Sequence, residues 1–251
     1  MIDPDHRPTL TDVTLVAVTS VAIPATLDAI RASMAQARFA EVLLLSDKQP
    51  ADLDDGISWR PIAPLASRLD YSRFMLRDLA GHIKTSHALC IQWDGFVLHG
   101  AAWEPGFLEF DYIGAPWPHF SDGHNVGNGG FSLRSRKLLE ACASLPLDGK
   151  NLEDVVISRL CRDRLQADGI RFAPEAVAKR FSFERMEPTG REFGFHGAFN
   201  IVRFMSSQET ARLFRSLEPG MLARSERWEL LLWAVRSGHL SLALEMLRRI
   251  I

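Results

Sequence analysis

Cysteine is scarce: Cys90, Cys142 and Cys161 are too few and too scattered for a disulfide framework, and no Cys-x-x-Cys pair is present to hold zinc. That scarcity predicts a reducing compartment, the cytoplasm. Neither sign of charge is in excess, with 29 Lys and Arg against 31 Asp and Glu, a formal net charge of −2. Capture of nucleic acid by bulk electrostatics is therefore excluded as an expectation. No window reaches the roughly 18 uninterrupted apolar residues of a transmembrane helix, and Met1 to His6 lacks the basic and apolar stretches of a secretory signal. The expected location is cytoplasmic, with peripheral attachment at the inner face of a membrane as a second option. A P-loop, a complete Gly-x-Gly-x-x-Gly fingerprint and a Gly-x-Ser-x-Gly elbow are all missing, as are internal repeats and low-complexity segments.

What remains is an ordinary globular balance, 47% hydrophobic and 24% charged, in 251 residues. That size suits one large α/β domain with a helical appendage. Residues 1–11 read as a flexible lead. The β-branched run Val13–Val18 predicts a first strand, and Pro24 opens a helix reaching about Phe39. Val42–Leu45 predicts a second strand, and residues 48–68 a proline-rich loop with a short strand near Ile57–Ile62. A helix capped by Ser72 runs to about His82, and the apolar run Ala88–Ile91 predicts a buried strand. Phe110–Ile113 and Phe131–Leu133 read as short strands, and Arg136–Ala143 as a helix. A further helix opens near Asn151 with Leu152, Val156 and Leu160 on one face. Such alternation predicts a mostly parallel sheet covered on both sides. From Ser206 the pattern is helical only: Trp228, Leu231, Leu232 and Val235 form one apolar stripe and Leu240, Leu244 and Leu247 another. These predict a hairpin turning at Gly238 with the Trp228–Val235 face packed inward. A membrane or partner surface is the alternative, since residues 201–251 carry eight Arg and five Glu.

Four constellations can carry chemistry. The strand ending Cys90-Ile91-Gln92-Trp93-Asp94-Gly95 delivers a carboxylate to an exposed strand end, where open α/β sheets bind ligands; a plain turn accounts for it equally. Gly127-Asn128-Gly129-Gly130 can bring backbone N–H groups towards a sugar or phosphate, or be a tight turn. Glu153-Asp154 opens a helix, where carboxylates also suit the helix dipole. A base accepting a hydroxyl proton needs such a group. Phe193-Gly194-Phe195-His196-Gly197 sets an imidazole between glycines, as a metal ligand or as a satisfied structural histidine.

Taken in order, Asp70 to Phe74, Gln92 to Gly95, Asp111 to Trp117, Val126 to Arg134, Glu153-Asp154-Val155 and Phe193 to Gly197 resemble a bacterial family of formerly unassigned function grouped with GT-A glycosyltransferases. The resemblance covers about residues 10–202 and implies a GT-A-like nucleotide-diphospho-sugar transferase fold over 12–205, followed by a helical extension over 206–251. It implies transfer of a hexose from a nucleotide-diphospho-sugar, UDP-sugars favoured, to a glycan or other hydroxyl acceptor in bacterial glycan synthesis. Related enzymes end a central strand in Asp-x-Asp, which holds a divalent metal, Mn2+ or Mg2+, on the donor diphosphate. Here Gln92-Trp93-Asp94 keeps only the second acid, leaving Asp94 and His196 as metal ligands. Asp154, in preference to Glu153, matches the base of inverting members. Thr19, Ser20, Ser46, Asp47, Tyr71, Ser72, Arg73, Gln92 and Trp93 are then expected around the nucleotide, and Gly95, Trp117, Asn128, Gly129 and Gly130 around the donor sugar and acceptor. The lost acid keeps a second reading open, a catalytically degenerate nucleotide-sugar-binding or interaction module.

Overall fold

The three apolar runs form adjacent inner strands of one six-stranded sheet, in the order β3-β2-β1-β4-β6-β5. These are β1 (Thr9–Thr19), β2 (Arg38–Ser46), β3 (Ser58–Pro61), β4 (His87–Ile91), β5 (Tyr112–Ile113) and β6 (Phe131–Ser135). The computed structural model describes residues 7–147, 149–218, 221–222, 224–236 and 238–250. Strands β3, β2, β1 and β4 run parallel, and β6 is antiparallel to both β4 and β5. The fold is thus mixed α/β with a mostly parallel central sheet. A separate parallel pair joins β7 (Ser182–Phe183) to β8 (Gly194–Phe195).

Unbroken apolar runs are needed because both faces of the inner strands are covered. Leu15, Ala17, Leu44, Leu89 and Ile91 face one core cluster, which also takes in Leu27 and Ile30 of α1 (Ile23–Gln36). Their neighbours Val16, Val18, Leu43, Leu45, Ala88 and Cys90 face the other, with Phe74 and Met75 of α2 (Arg68–Arg77). Each Val, Leu, Ile, Phe or Met among them, fully withdrawn from water, contributes roughly 1.5–3 kcal/mol. All three cysteines are free and buried.

Several local expectations are corrected. β1 begins at Thr9, inside the stretch read as a flexible lead; residues 1–6 of that lead lie outside the described residues. The first helix stops at Gln36 because Ala37 is extended, and β2 starts at Arg38. Ser67, not Ser72, caps α2, accepting the Asp70 N–H, while Ser72 is buried inside it. After α3 (Arg136–Cys142), α4 (Glu153–Val155) runs into a π-helical turn, Val156–Leu160. That extra residue per turn breaks the expected face: Val156 and Ile157 are buried together and Leu160 is exposed.

The remaining helices are α5 (Arg162–Ala167), α6 (Glu175–Phe181), α7 (Ala198–Ile201), α8 (Ser207–Ser216), α9 (Arg224–Arg236) and α10 (Leu240–Ile250). A capping box between Ser206 and Glu209 starts α8. The α9–α10 hairpin forms with Gly238 at φ +73 in its turn, a left-handed angle that suits glycine. Its packing departs from the expectation: Leu230, Ala234, Leu242, Ala243 and Met246 are the buried residues, in the same cluster as the sheet, and of the expected α9 stripe Leu231 alone packs against that cluster. Trp228, Leu232, Val235, Leu240, Leu244 and Leu247 are exposed.

Candidate active site

Chain order places the switch point between β1 and β4: from β1 the sheet grows through β2 and β3 on one side, then resumes with β4 on the other. Ligands of open α/β sheets bind at the carboxyl ends of such strands. A cleft of about 550 Å3 lies there, lined by Thr19 and Ser20 after β1, Gln92, Trp93 and Asp94 after β4, and Gly129 and Gly130 before β6. Tyr71, Ser72, Glu153, Asp154 and His196 line it too, so twelve of the residues expected from sequence converge.

Asp94 and His196, 102 positions apart in the chain, meet because the Gly197 N–H donates to the Asp94 carbonyl at 2.9 Å and the His196 N–H donates to the Phe183 carbonyl at 3.0 Å. His196 Nε2 lies 3.3 Å from Asp94 Oδ1 and 3.3 Å from Gln92 Oε1. Its Nδ1 lies 3.4 Å from Glu184 Oε1 and 3.1 Å from the Asn128 side-chain nitrogen. Burial alone lowers the pKa of such a ring; the carboxylates of Asp94 and Glu184 overcome this and raise it well above the ordinary value. Burial alone would raise the Glu184 carboxyl, and the adjacent ring lowers it instead.

The corner fits a divalent cation. Asp94 Oδ1 is buried with no hydrogen bond beyond its ion pair with the His196 ring, and a cation that displaced the ring proton would meet ligand atoms 3.3 Å apart, a separation that suits bonds of about 2.1 Å. Glu184 on the other ring nitrogen fixes the imidazole as an outer carboxylate does in metal sites. Among the described residues no three His, Cys, Asp or Glu side chains converge on one ion, because Glu184 faces the far nitrogen. The Gln92 amide oxygen, 3.3 Å from His196 Nε2, is a further oxygen that could face such an ion.

Glu153 and Asp154 differ in kind. Arg134, fully buried, donates to Glu153 Oε1 at 3.0 Å, and the Ser72 hydroxyl donates to Oε2 at 3.2 Å. Glu153 is thereby a partner of the core. Asp154 accepts the Gly129 N–H at 3.1 Å and the Val155 N–H at 2.8 Å. Burial, and secondarily the charge of Glu153, push its carboxyl up to about 6. The loop before β6 must be glycine: a Cβ on Gly129 would run into Glu153 Oε1, and one on Gly130 into the His196 ring.

Six expected residues do not line the cleft. Ser46 is buried, donating to the Lys48 carbonyl and accepting from the Trp59 indole, and Asp47 follows it at the end of β2, one strand away from the switch. Arg73 is on the exposed side of α2. Gly95 is buried against the Phe195 carbonyl. Trp117, expected against a sugar, instead fills the space above Gly127 and packs on Phe120. Asn128 is buried at φ +68, where its side-chain oxygen accepts the Gly130 and Phe131 N–H groups, so it holds the loop and His196 rather than ligand.

Glu184, Ser67, Arg68, Met221 and Glu226 line the cleft without having been expected. Two signals were available. Ser67-x-x-Asp70 is a helix-start pattern, and it brings the positive end of α2 and the Arg68 cation to the cleft. Phe183-Glu184 repeats the apolar–polar step of Phe195-His196, which becomes lateral pairing once β7 and β8 align.

Residues 59–196 match the profile of a family described as protein of unknown function (DUF5672). The matched span holds Asp94, Glu153, Asp154, Glu184 and His196, and excludes the end of β1 and the helical extension. No curated protein matches the chain. Among solved structures it is similar to the mannosyltransferase PcManGT from Pyrobaculum calidifontis, determined with GDP-Man and Mn2+, at 14% identity and TM-score 0.44, over 98% of this chain and 80% of that one. It is also similar to the apo glycosyltransferase GlyE of Streptococcus pneumoniae, at 11% identity and TM-score 0.47, over 89% of this chain and 63% of GlyE.

Proposed function

The chain belongs to the DUF5672 family, and from its cleft we propose that it transfers a sugar from a nucleotide-diphospho-sugar to a hydroxyl acceptor, with inversion at the anomeric carbon. One observation carries this reading: a single cleft holds Asp154, poised to take a proton, and the Asp94–His196–Gln92 corner, poised to hold a cation on a diphosphate.

Asp154 is ionised at neutral pH yet more basic than an ordinary carboxylate, as a base for a sugar hydroxyl requires. The acceptor proton passes to Asp154, the acceptor oxygen bonds to C1, and the C1–O bond to the diphosphate breaks with its electron pair on the leaving group. Arg68 and the α2 terminus stabilise that negative charge. A divalent ion held by Asp94, His196 and Gln92 would supply Lewis-acid stabilisation of the same phosphates. Glu184 keeps the imidazole oriented, and the glycines let the donor approach the loop closely.

The test is release of nucleoside diphosphate from a panel of uridine and guanosine diphospho-sugars, with and without Mn2+ and simple glycoside acceptors. Turnover by the wild-type chain that vanishes in folded Asp154→Asn supports the assignment. Donor binding with no release across the panel would replace it with a non-catalytic binding module, and equal turnover in the variant would remove Asp154 from its role.

A further inference from the structure

Among the described residues, α9 and α10 hold six of the eleven large apolar side chains that stand exposed. The others are scattered, which is normal for a protein surface. Trp228, Leu232 and Val235 on α9 and Leu240, Leu244 and Leu247 on α10 repeat at the same i, i+4, i+7 spacing, one outward stripe per helix. Leu232 and Val235 are 53% and 54% exposed, and Leu240 and Leu244 are 68% and 59% exposed. The opposite faces already serve the fold through Leu230, Ala234, Leu242 and Met246. The outward stripes are therefore not part of the buried core.

Among the described side chains, Glu187 and Glu229 line a hollow with Leu232 and Arg236 but are paired with Arg203 and Arg185, which leaves the charge around the stripes net basic. Arg224 and Arg236 flank the α9 stripe by helical position, and Arg248 stands beside Leu244 and Leu247; all three are exposed. The glutamates of α9 turn elsewhere, Glu229 to Arg185 at 2.9 Å and Glu226 into the cleft. No helix among the described residues is long and apolar enough to cross a membrane.

We propose that the outer face of the α9–α10 hairpin docks on an anionic lipid bilayer, lying in its interface without spanning it. Leucines and Val235 enter the acyl boundary, Trp228 sits at headgroup level, and the arginines reach lipid phosphates while their stems follow the apolar surface. A second copy of this chain fits less well. In a two-fold pair the patch meets itself, so the exposed Arg224, Arg236 and Arg248 would meet like charges, while Glu187 and Glu229 are already paired with arginines of the same chain. The proposal rests on this surface alone and stands whether or not the cleft transfers sugar.

The experiment is co-sedimentation of the full chain with vesicles of phosphatidylcholine, or of phosphatidylcholine with an equal part of phosphatidylglycerol, at low and high salt. Binding to the anionic vesicles should exceed binding to the neutral ones by at least about tenfold and weaken with salt. Leu232→Ser with Leu244→Ser should lower it about tenfold; Arg236→Gln with Arg248→Gln should lower it and flatten its salt dependence. Because these positions are exposed, thermal melts should match wild type; if the leucine variant melts early, the arginine variant carries the test. No sedimentation with anionic vesicles, or sedimentation indifferent to the arginine variant, overturns the proposal. A concentration-dependent dimer formed without lipid and dissolved by Leu232→Ser overturns it in favour of self-association.

Discussion

At the β4–β8 corner of the cleft two carboxylates, Asp94 and Glu184, share the ring of His196, whereas at the head of α4 Glu153 is matched by Arg134 and Asp154 has only two backbone N–H groups. The first arrangement concentrates acceptor atoms around one nitrogen-bearing ring and leaves Asp94 Oδ1 with no hydrogen bond beyond its ion pair with that ring. The second separates two adjacent carboxylates, neutralising one inside the core and leaving the other under-stabilised in the cleft. One region is suited to holding a cation, the other to holding a proton. Sequence adjacency is thus a poor guide to role, since Glu153 and Asp154 share a helix end but not an environment.

The comparison breaks most visibly at Asp154. Asp154→Asn should reduce donor turnover about 10²- to 10⁴-fold while donor-induced thermal stabilisation persists; loss of binding instead would make Asp154 a ligand contact. The wild-type pH–rate profile should carry an acid limb near pH 6, because turnover needs the ionised form and falls as pH drops through the raised pKa.

Glu153 should answer in stability. Glu153→Ala leaves Arg134 buried beside an empty position and should cost about 3–5 kcal/mol, read as a fall in the denaturant midpoint. A midpoint like that of wild type would mean that the Arg134–Glu153 pair is not what holds the head of α4.

Gly130→Ala sharpens the other side, since the new methyl meets the His196 ring. The expected result is about 1–3 kcal/mol of lost stability together with loss of any metal-dependent response to donor. A variant with an intact metal response would show that the ring can move without consequence.

The last effect concerns Asp154 again. Its pKa is raised to about 6 in the fold against about 3.9 in an unfolded chain, so the native state binds more protons between those values. Wild-type stability should therefore fall as pH rises through that window. Asp154→Asn escapes this, and should gain about 3 kcal/mol over wild type at pH 8 and nothing at pH 3. A difference independent of pH would contradict the raised value.

Sequence made the inner sheet legible because strands covered on both faces must be apolar without interruption. The cleft was legible where a residue type answers to a local backbone need: Asp94 at a strand end, Gly129 and Gly130 in a crowded loop. Roles that depend on lateral packing were not. Trp117 reads as a sugar platform until Gly127 is seen to need its ring, and Glu184 gains meaning only when β7 lies beside β8. In the helical extension the periodicity was present but its direction was not. Apolar residues occupy both faces of α9 and α10, so spacing alone could not say which face the core takes.

The central claim is that Asp94, Gln92 and His196 form a cation-dependent diphosphate site in the cleft. Thermal shift of wild type and Asp94→Ala against a nucleotide-diphospho-sugar panel, with Mn2+, Mg2+ or chelator, tests it most directly. At least one donor should raise the wild-type Tm, by more with metal than with chelator, and the metal-dependent part should be missing in Asp94→Ala. A wild-type Tm unmoved by every donor under all three conditions would contradict the account.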